Sequence, residues 1–240
     1  MRSPKTIGQA CCLALVLLAS PRSASAAVID FGGTGLGVEG STFTYNGSGI
    51  GTFFAGELNW TWTSGMPTGY SPSFYSYCVD LFHSLGNPQD VTVKSTDTLV
   101  VSGVADAGGK AAWLFNTYSA SVHASGDATN GAALQIAIWE ALYDTSANLS
   151  EGHLTVSTIA GVATQAMIYL NALYSDGVHT SSVTWLDAPT GGQVGSAGQD
   201  QMITMPAPEP SSLLLCGGGF ALLVRSLKRR RRGASAPAGV

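Results

Sequence analysis

The sequence predicts an α+β protein: a β-rich body with a small inserted helical subdomain, plus an N-terminal signal peptide and a C-terminal transmembrane helix. Three observations predict it. β-Branched and aromatic residues recur at near-alternate positions through the first part of the exported chain. The periodicity then changes to a helical one in three segments between residues 110 and 174. A short apolar run lies at each end of the chain with basic residues beside it.

Taken in order, Arg2 and Lys5 give a charged start, residues 10–19 (ACCLALVLLA) an apolar run, and Ala24-Ser25-Ala26 small residues for cleavage after Ala26. Cys11 follows Gln9-Ala10 at the start of the run, too early for a lipoprotein signal. The segments thus fall as signal peptide 1–26, exported domain 27–187, linker and last strand 188–207, sorting region 208–232 and short tail 233–240. Residues 27–63 read as strands, with an Asn46-Gly47 turn signal between 41–45 and 51–62. Residues 74–82 (FYSYCVDLF) form the clearest strand, with Tyr75, Tyr77, Val79 and Leu81 on one face. Phe74, Ser76, Cys78, Asp80 and Phe82 line its other face. Residues 90–99 give a further strand, 110–119, 131–144 and 159–174 three helices, and 152–157, 181–185 and 201–204 short returning strands.

The helix over 131–144 (GAALQIAIWEALYD) organises the chain. At about 100° per residue, Leu134, Gln135, Ile136, Ile138, Trp139, Leu142 and Tyr143 share one broad face. Ala137, Glu140 and Asp144 fall on the opposite face, where the two acids read as a solvated edge. Gln135 sits near the middle of the apolar arc. An unpaired primary amide in a core costs about 1–3 kcal/mol, so something must meet it, and the best candidate is Cys78.

Charge excludes several partners. Between residues 27 and 206 only Lys94 and Lys110 are basic, against fourteen acids, a net charge of about −12. An acidic domain without a basic patch argues against nucleic acid and anionic lipid. Low charge content with abundant Gly, Ser and Thr suits an extracellular surface protein. His83, His123, His153 and His179 are scattered without metal-ligand spacing and read as surface or loop residues. Residues 127–131 (DATNG) lack a calcium-loop series and read as the turn and cap of the following helix. Residues 32–40 (GGTGLGVEG) are followed by no Lys-Ser/Thr and form no phosphate loop. No cofactor and no metal are expected.

The end of the chain is the most specific signal. Pro208-Glu209-Pro210 precedes an apolar run over 211–224, and Arg225 with Lys228, Arg229, Arg230, Arg231 and Arg232 closes it. The run is short for a spanning helix of about 17–25 residues, and Leu227 with a snorkelling Arg225 extends it. The basic cluster would remain cytoplasmic and the acidic domain would face outward. This order of motif, apolar run and Arg cluster resembles a PEP-CTERM sorting signal. The resemblance implies Sec export, transient inner-membrane anchoring and processing by an exosortase in a Gram-negative bacterium that makes extracellular polysaccharide. The protein would then rest on the cell envelope surface or in the matrix of a biofilm. Residues 233–240 extend beyond the point where that family usually stops. The same tail carries the label of an ice-binding-protein C-terminal region, but the domain lacks the regular Thr-rich repeats of an ice-binding face.

Cys11 and Cys12 leave with the signal and Cys216 with the anchor, so Cys78 is the lone cysteine of the processed domain. It reads as an inert buried residue, as a catalytic thiol with Asp80, His83 or a distant His as base, or as half of a pair with Gln135. A Cys and a His five residues apart on one strand would point to opposite faces. Tyr77-Cys78, followed fifty-seven residues later by Gln135-Ile136-Ala137-Ile138-Trp139, resembles the thioester domains of bacterial surface adhesins. The residue before the glutamine is commonly Thr in that family and is Leu134 here. The resemblance implies an internal Cys78–Gln135 thioester that captures a surface amine or hydroxyl of a protein or polysaccharide. That would be single-turnover acyl transfer rather than enzymatic turnover. The alternative is a non-covalent structural or polysaccharide-binding matrix protein with an inert Cys78.

Overall fold

The computed structural model describes residues 26–95, 103–175, 179–189 and 198–204. The signal segment before Ala26, the sorting residues Pro208, Glu209, Pro210, Arg229, Arg230, Arg231 and Arg232, and Cys11, Cys12 and Cys216 lie outside the described residues. Among the described residues, no helix is long and apolar enough to cross a membrane.

β1 (Ala26–Tyr45) and β2 (Ser48–Ser64) form one long antiparallel hairpin. Asn46 and Gly47 turn it with φ values of 51° and 76°, the paired positive φ that an Asn-Gly two-residue loop supplies. Glycine-rich residues 32–40 lie within β1, and register shifts near Gly33 and Gly37 bend it. β3 (Ser73–Cys78) pairs with β2, and β4 (Gln89–Ser95) pairs with the first four residues of β1 on the edge opposite β2. β5 (Leu154–Ser157) adds to the far end of β1. β6 (Thr184–Asp187) pairs with β4, and β7 (Gln201–Ile203) bridges β6 and β3. The pairings therefore close a ring, β1-β2-β3-β7-β6-β4 and back to β1, all antiparallel, with β5 attached outside it. Closing the ring removes the open edges that an unclosed sheet would expose.

α1 (Ala107–Ser125) and α2 (Ala128–Tyr143) follow β4, and α3 (Ala160–Tyr174) lies between β5 and β6. α2 is the centre of the packing: it contacts α1, α3, β1 and β2. Asp127 caps it by accepting the Thr129 N–H at 2.8 Å, as the sequence predicts. Gly131 lets its first turn press on β1, since a Cβ there would stand 2.3 Å from the Leu36 carbonyl oxygen.

Two expectations are corrected. Every residue of α2 from Gly131 to Tyr143 is buried, so Glu140 and Asp144 are not a solvated edge: they are 0% and 1% exposed. The arc argument assumed one apolar partner, whereas α1 and α3 cover the sides that the β body leaves open. The strand over 74–82 is also shorter than its alternation suggests. β3 ends at Cys78: its ladder with β2 runs only as far as Glu57↔Tyr77, while β2 pairs with β1 along its whole length on the other edge. Residues 79–84 turn instead, so the opposite-face argument separating His83 from Cys78 does not hold. The last predicted strand is present as β7, inside the ring and with Gln201 and Met202 fully buried.

Candidate functional site

Cys78 is the last residue of β3 and pairs with Gln201 of β7 on one side. That ladder continues with the Val79 N–H donating to the Asp200 carbonyl at 3.0 Å. On its other side, where β2 has diverged, the backbone of Cys78 meets the side chain of Gln135. The Cys78 N–H donates to Gln135 Oε1 at 2.9 Å, and Gln135 Nε2 donates to the Cys78 carbonyl at 2.7 Å. A helix side chain thus occupies the place of a strand in the ladder. Both residues are enclosed, Cys78 at 3% and Gln135 at 1% exposure.

Gln135, Trp139 and Tyr143 lie four residues apart along α2, so they form a stripe on one face. Gln135 and Tyr143 engage the chain around and after Cys78. Tyr143 donates to the Val79 carbonyl at 3.0 Å and accepts from the Leu81 N–H at 3.4 Å. Trp139 packs edge-on against Phe43 with centroids 5.1 Å apart. Its buried indole N–H meets no hydrogen-bond acceptor.

The sulfur has a defined environment. The thiol donates to the Asp80 carbonyl at 3.0 Å, and the Asp80 N–H approaches the sulfur at 3.3 Å. Burial pushes the thiol well above its ordinary value. The Asp80 backbone opposes that shift, and the Asp80 and Asp200 carboxylates add to it. Asp200 is itself raised to about 6, chiefly by burial, although the Ala188 N–H donates to it at 2.8 Å.

Residues 79–84 form a strap beside the pair. Asp80 accepts from the Phe82 N–H at 2.9 Å and contacts His83 Nδ1 at 2.5 Å. Gln199 fastens the strap by donating to the carbonyls of Asp80 and His83 at 2.9 and 3.1 Å. Gln89 and Gln201 hold Gln199 in turn, and Ser76 links Gln201 to the Trp60 indole. A groove of about 440 Å³ elsewhere, lined by Ala26, Val28, Asp90 and Pro189 among others, shares no residue with this pair.

The structure brings Cys78 and Gln135 into direct contact and places Asp80 and His83 in the adjoining strap. Ala26 is the first residue of β1, at the start of the described chain. His123 stacks on Tyr75 at 4.1 Å and meets Glu57, His153 meets Asn46, and His179 stacks on Trp113. Among the described residues, no three His, Cys, Asp or Glu side chains gather to hold a metal.

Sequence reasoning missed Gln199, which only the tertiary structure brings to the strap, and the buried Glu57, which joins Tyr77 to His123. Trp139 and Tyr143 were legible as one stripe with Gln135, but not the polar contacts of Tyr143. The chain matches no protein-family model, no curated protein and no solved structure.

Proposed function

We propose that this is an exported surface or matrix protein, sorted by its PEP-CTERM-like tail, that acts as a covalent adhesin through a Cys78–Gln135 thioester. In this reading the helices between β4 and β6 are a subdomain whose task is to present Gln135. The observation that supports it most is the two-point contact between the Gln135 amide and the backbone of Cys78 inside a closed core.

The chemistry balances within the two residues. The Cys78 sulfur attacks the Gln135 side-chain carbonyl carbon, the C–S bond forms, the C–N bond breaks, and ammonia leaves with the thiol proton. An amide is a poor electrophile, and fixed juxtaposition supplies an effective molarity of about 10⁵ M or more. The acyl group would lie in a closed core, with Gln135 1% and Cys78 3% exposed, which keeps water from it. A partner amine or hydroxyl then forms a bond to the same carbon, the C–S bond breaks, and the partner's proton passes to sulfur.

The second reading, an inert matrix protein, draws on the same contact. Gln135 already satisfies both backbone groups of Cys78, so a structural rung would account for it without reaction.

Intact mass separates the two. The purified, non-reduced domain should weigh less than its sequence by one ammonia and resist iodoacetamide under native conditions. Methylamine should add at Gln135 and free one thiol. Cys78→Ala should restore full sequence mass. A fresh domain of full mass with one titratable thiol would leave the structural rung standing.

A further inference from the structure

Asp80 touches the buried sulfur with its backbone and solvent with its side chain. Its carbonyl accepts the Cys78 thiol at 3.0 Å, and its N–H lies 3.3 Å from the sulfur. Its carboxyl group is 12% exposed, beside His83 at 19%. Along the strap, Val79, Asp80 and Leu81 are buried, Phe82 and His83 half-buried, and Ser84 exposed. The strap therefore covers the sulfur on its way to the surface. An incoming amine must reach Gln135, itself 1% exposed, so cover of this kind has to move. The strap is not held as a strand is. Its ladder with the β7 side ends where the Val79 N–H meets the Asp200 carbonyl, and beyond that point side chains fasten it. Gln199 Nε2 donates to the carbonyls of both Asp80 and His83, while its Oε1 accepts from Gln201 at 3.2 Å. Phe82 stands edge-on to Tyr45 and Tyr143, with centroids 5.3 and 5.5 Å away. A segment held by such contacts opens at lower free energy than the strands around it.

We propose that residues 79–84 are a gate over the Cys78–Gln135 bond, latched by Gln199 and Phe82, and that forming the thioester loosens it. The gate in this role rests on the thioester reading of Cys78 and Gln135. The loosening follows from which hydrogens leave. As the C–S bond forms, the thiol proton and the Gln135 amide NH₂ depart together as ammonia. The Asp80 carbonyl then loses the S–H donor and keeps Gln199, and the Cys78 carbonyl loses Gln135 Nε2. Capture of an amine breaks the C–S bond, returns a proton to sulfur and restores the S–H donor beneath the strap. The gate is thus loosest while the acyl group awaits its partner, and it tightens once that group has been passed on.

Gln199→Met keeps most of the bulk and removes both donors. In the full exported domain it should speed methylamine-driven thiol release by on the order of tenfold, the scale of one or two lost hydrogen bonds. Dilute urea should leave that faster rate unchanged, because strap opening exposes far less surface than unfolding. Release at the wild-type rate, or a rate that climbs with urea as unfolding does, would overturn the gate and leave the thioester intact. If Gln199→Met does not fold, Phe82→Ala removes the other latch and carries the same test. Hydrogen exchange checks the loosening: the Leu81 and His83 amides should exchange faster in the thioester form than after methylamine treatment, and equal or slower exchange refutes it. A wild type of full sequence mass would instead overturn the thioester and the loosening with it. The gate would then be read from iodoacetamide labelling of Cys78, which Gln199→Met should speed and which an unchanged rate would refute.

Discussion

At Glu140 a carboxyl group is wholly enclosed on α2, with Asp144 one turn away and Tyr174 of α3 close by. Its Oε2 has no partner, and Oε1 accepts only a long 3.4 Å bond from the Asn148 N–H. Burial first, and the Asp144 carboxylate second, raise Glu140 from 4.5 to about 9. The folded state therefore holds a proton that the unfolded chain releases above about pH 4.5. Stability from this group is complete below that pH and declines towards pH 9, by up to about 1.4 kcal/mol per pH unit. Asp200, raised from 3.8 to about 6, acts with the same sign over a lower interval. The other charged groups at this cluster are Lys110, lowered by burial, and Asp106 beside it. Glu140→Gln should flatten the decline between pH 6 and 9 and stabilise the domain at pH 8 by a few kcal/mol, roughly. Urea unfolding at pH 5, 7 and 8.5 checks this, and parallel profiles for the two proteins would refute it.

α2 shows how one element serves packing and chemistry together. Its buried circumference holds it against three surroundings, and its Gln135-Trp139-Tyr143 stripe meets the end of β3 and the strap. Its position along β1 is set by the contact at Gly131, where the obstacle is the backbone of Leu36 rather than a side chain that can rotate away. Gly131→Ala should lift the first turn from β1 and cost about 1–3 kcal/mol, the usual range for overpacking. Because Gln135 is one turn further along, the same substitution should lower the fraction of molecules that have lost ammonia. A variant with wild-type stability and full ammonia loss would show that α2 is not held there.

For the molecule as a whole, a cross-link between residues 57 apart in sequence would join the strand ring to the helices. Loop-closure entropy puts its contribution to stability at about 4 kcal/mol. The acidic domain and the basic end lie on opposite sides of the Pro208-Glu209-Pro210 motif, which fits a chain delivered outward and then released. In a host that carries an exosortase, surface-located protein should lack everything after about Pro210. Peptide mapping that recovers residues 229–240 from most of that protein would refute the sorting reading.

Much of this protein is legible in local pattern. Helical periodicity located the three helices among the described residues, the Asn46-Gly47 pair located the hairpin turn, and an amide among apolar helix neighbours singled out Gln135, while its pairing with Cys78 came from the resemblance to thioester domains. These follow from short-range rules, since periodicity, turn chemistry and the cost of a buried amide depend on neighbouring residues alone. Tertiary structure decided the rest. β3 stops at Cys78, where its ladder with β2 has ended at Glu57↔Tyr77 and the Gln135 side chain meets the backbone instead, a long-range arrangement that alternation within residues 74–82 does not encode. Glu140 and Asp144 are buried because α1 and α3 close over α2, and one helix viewed alone has no second or third neighbour. Gln199 reaches the strap across 119 residues of sequence. Identity and spacing name these residues, but only the packed chain determines which groups must satisfy one another.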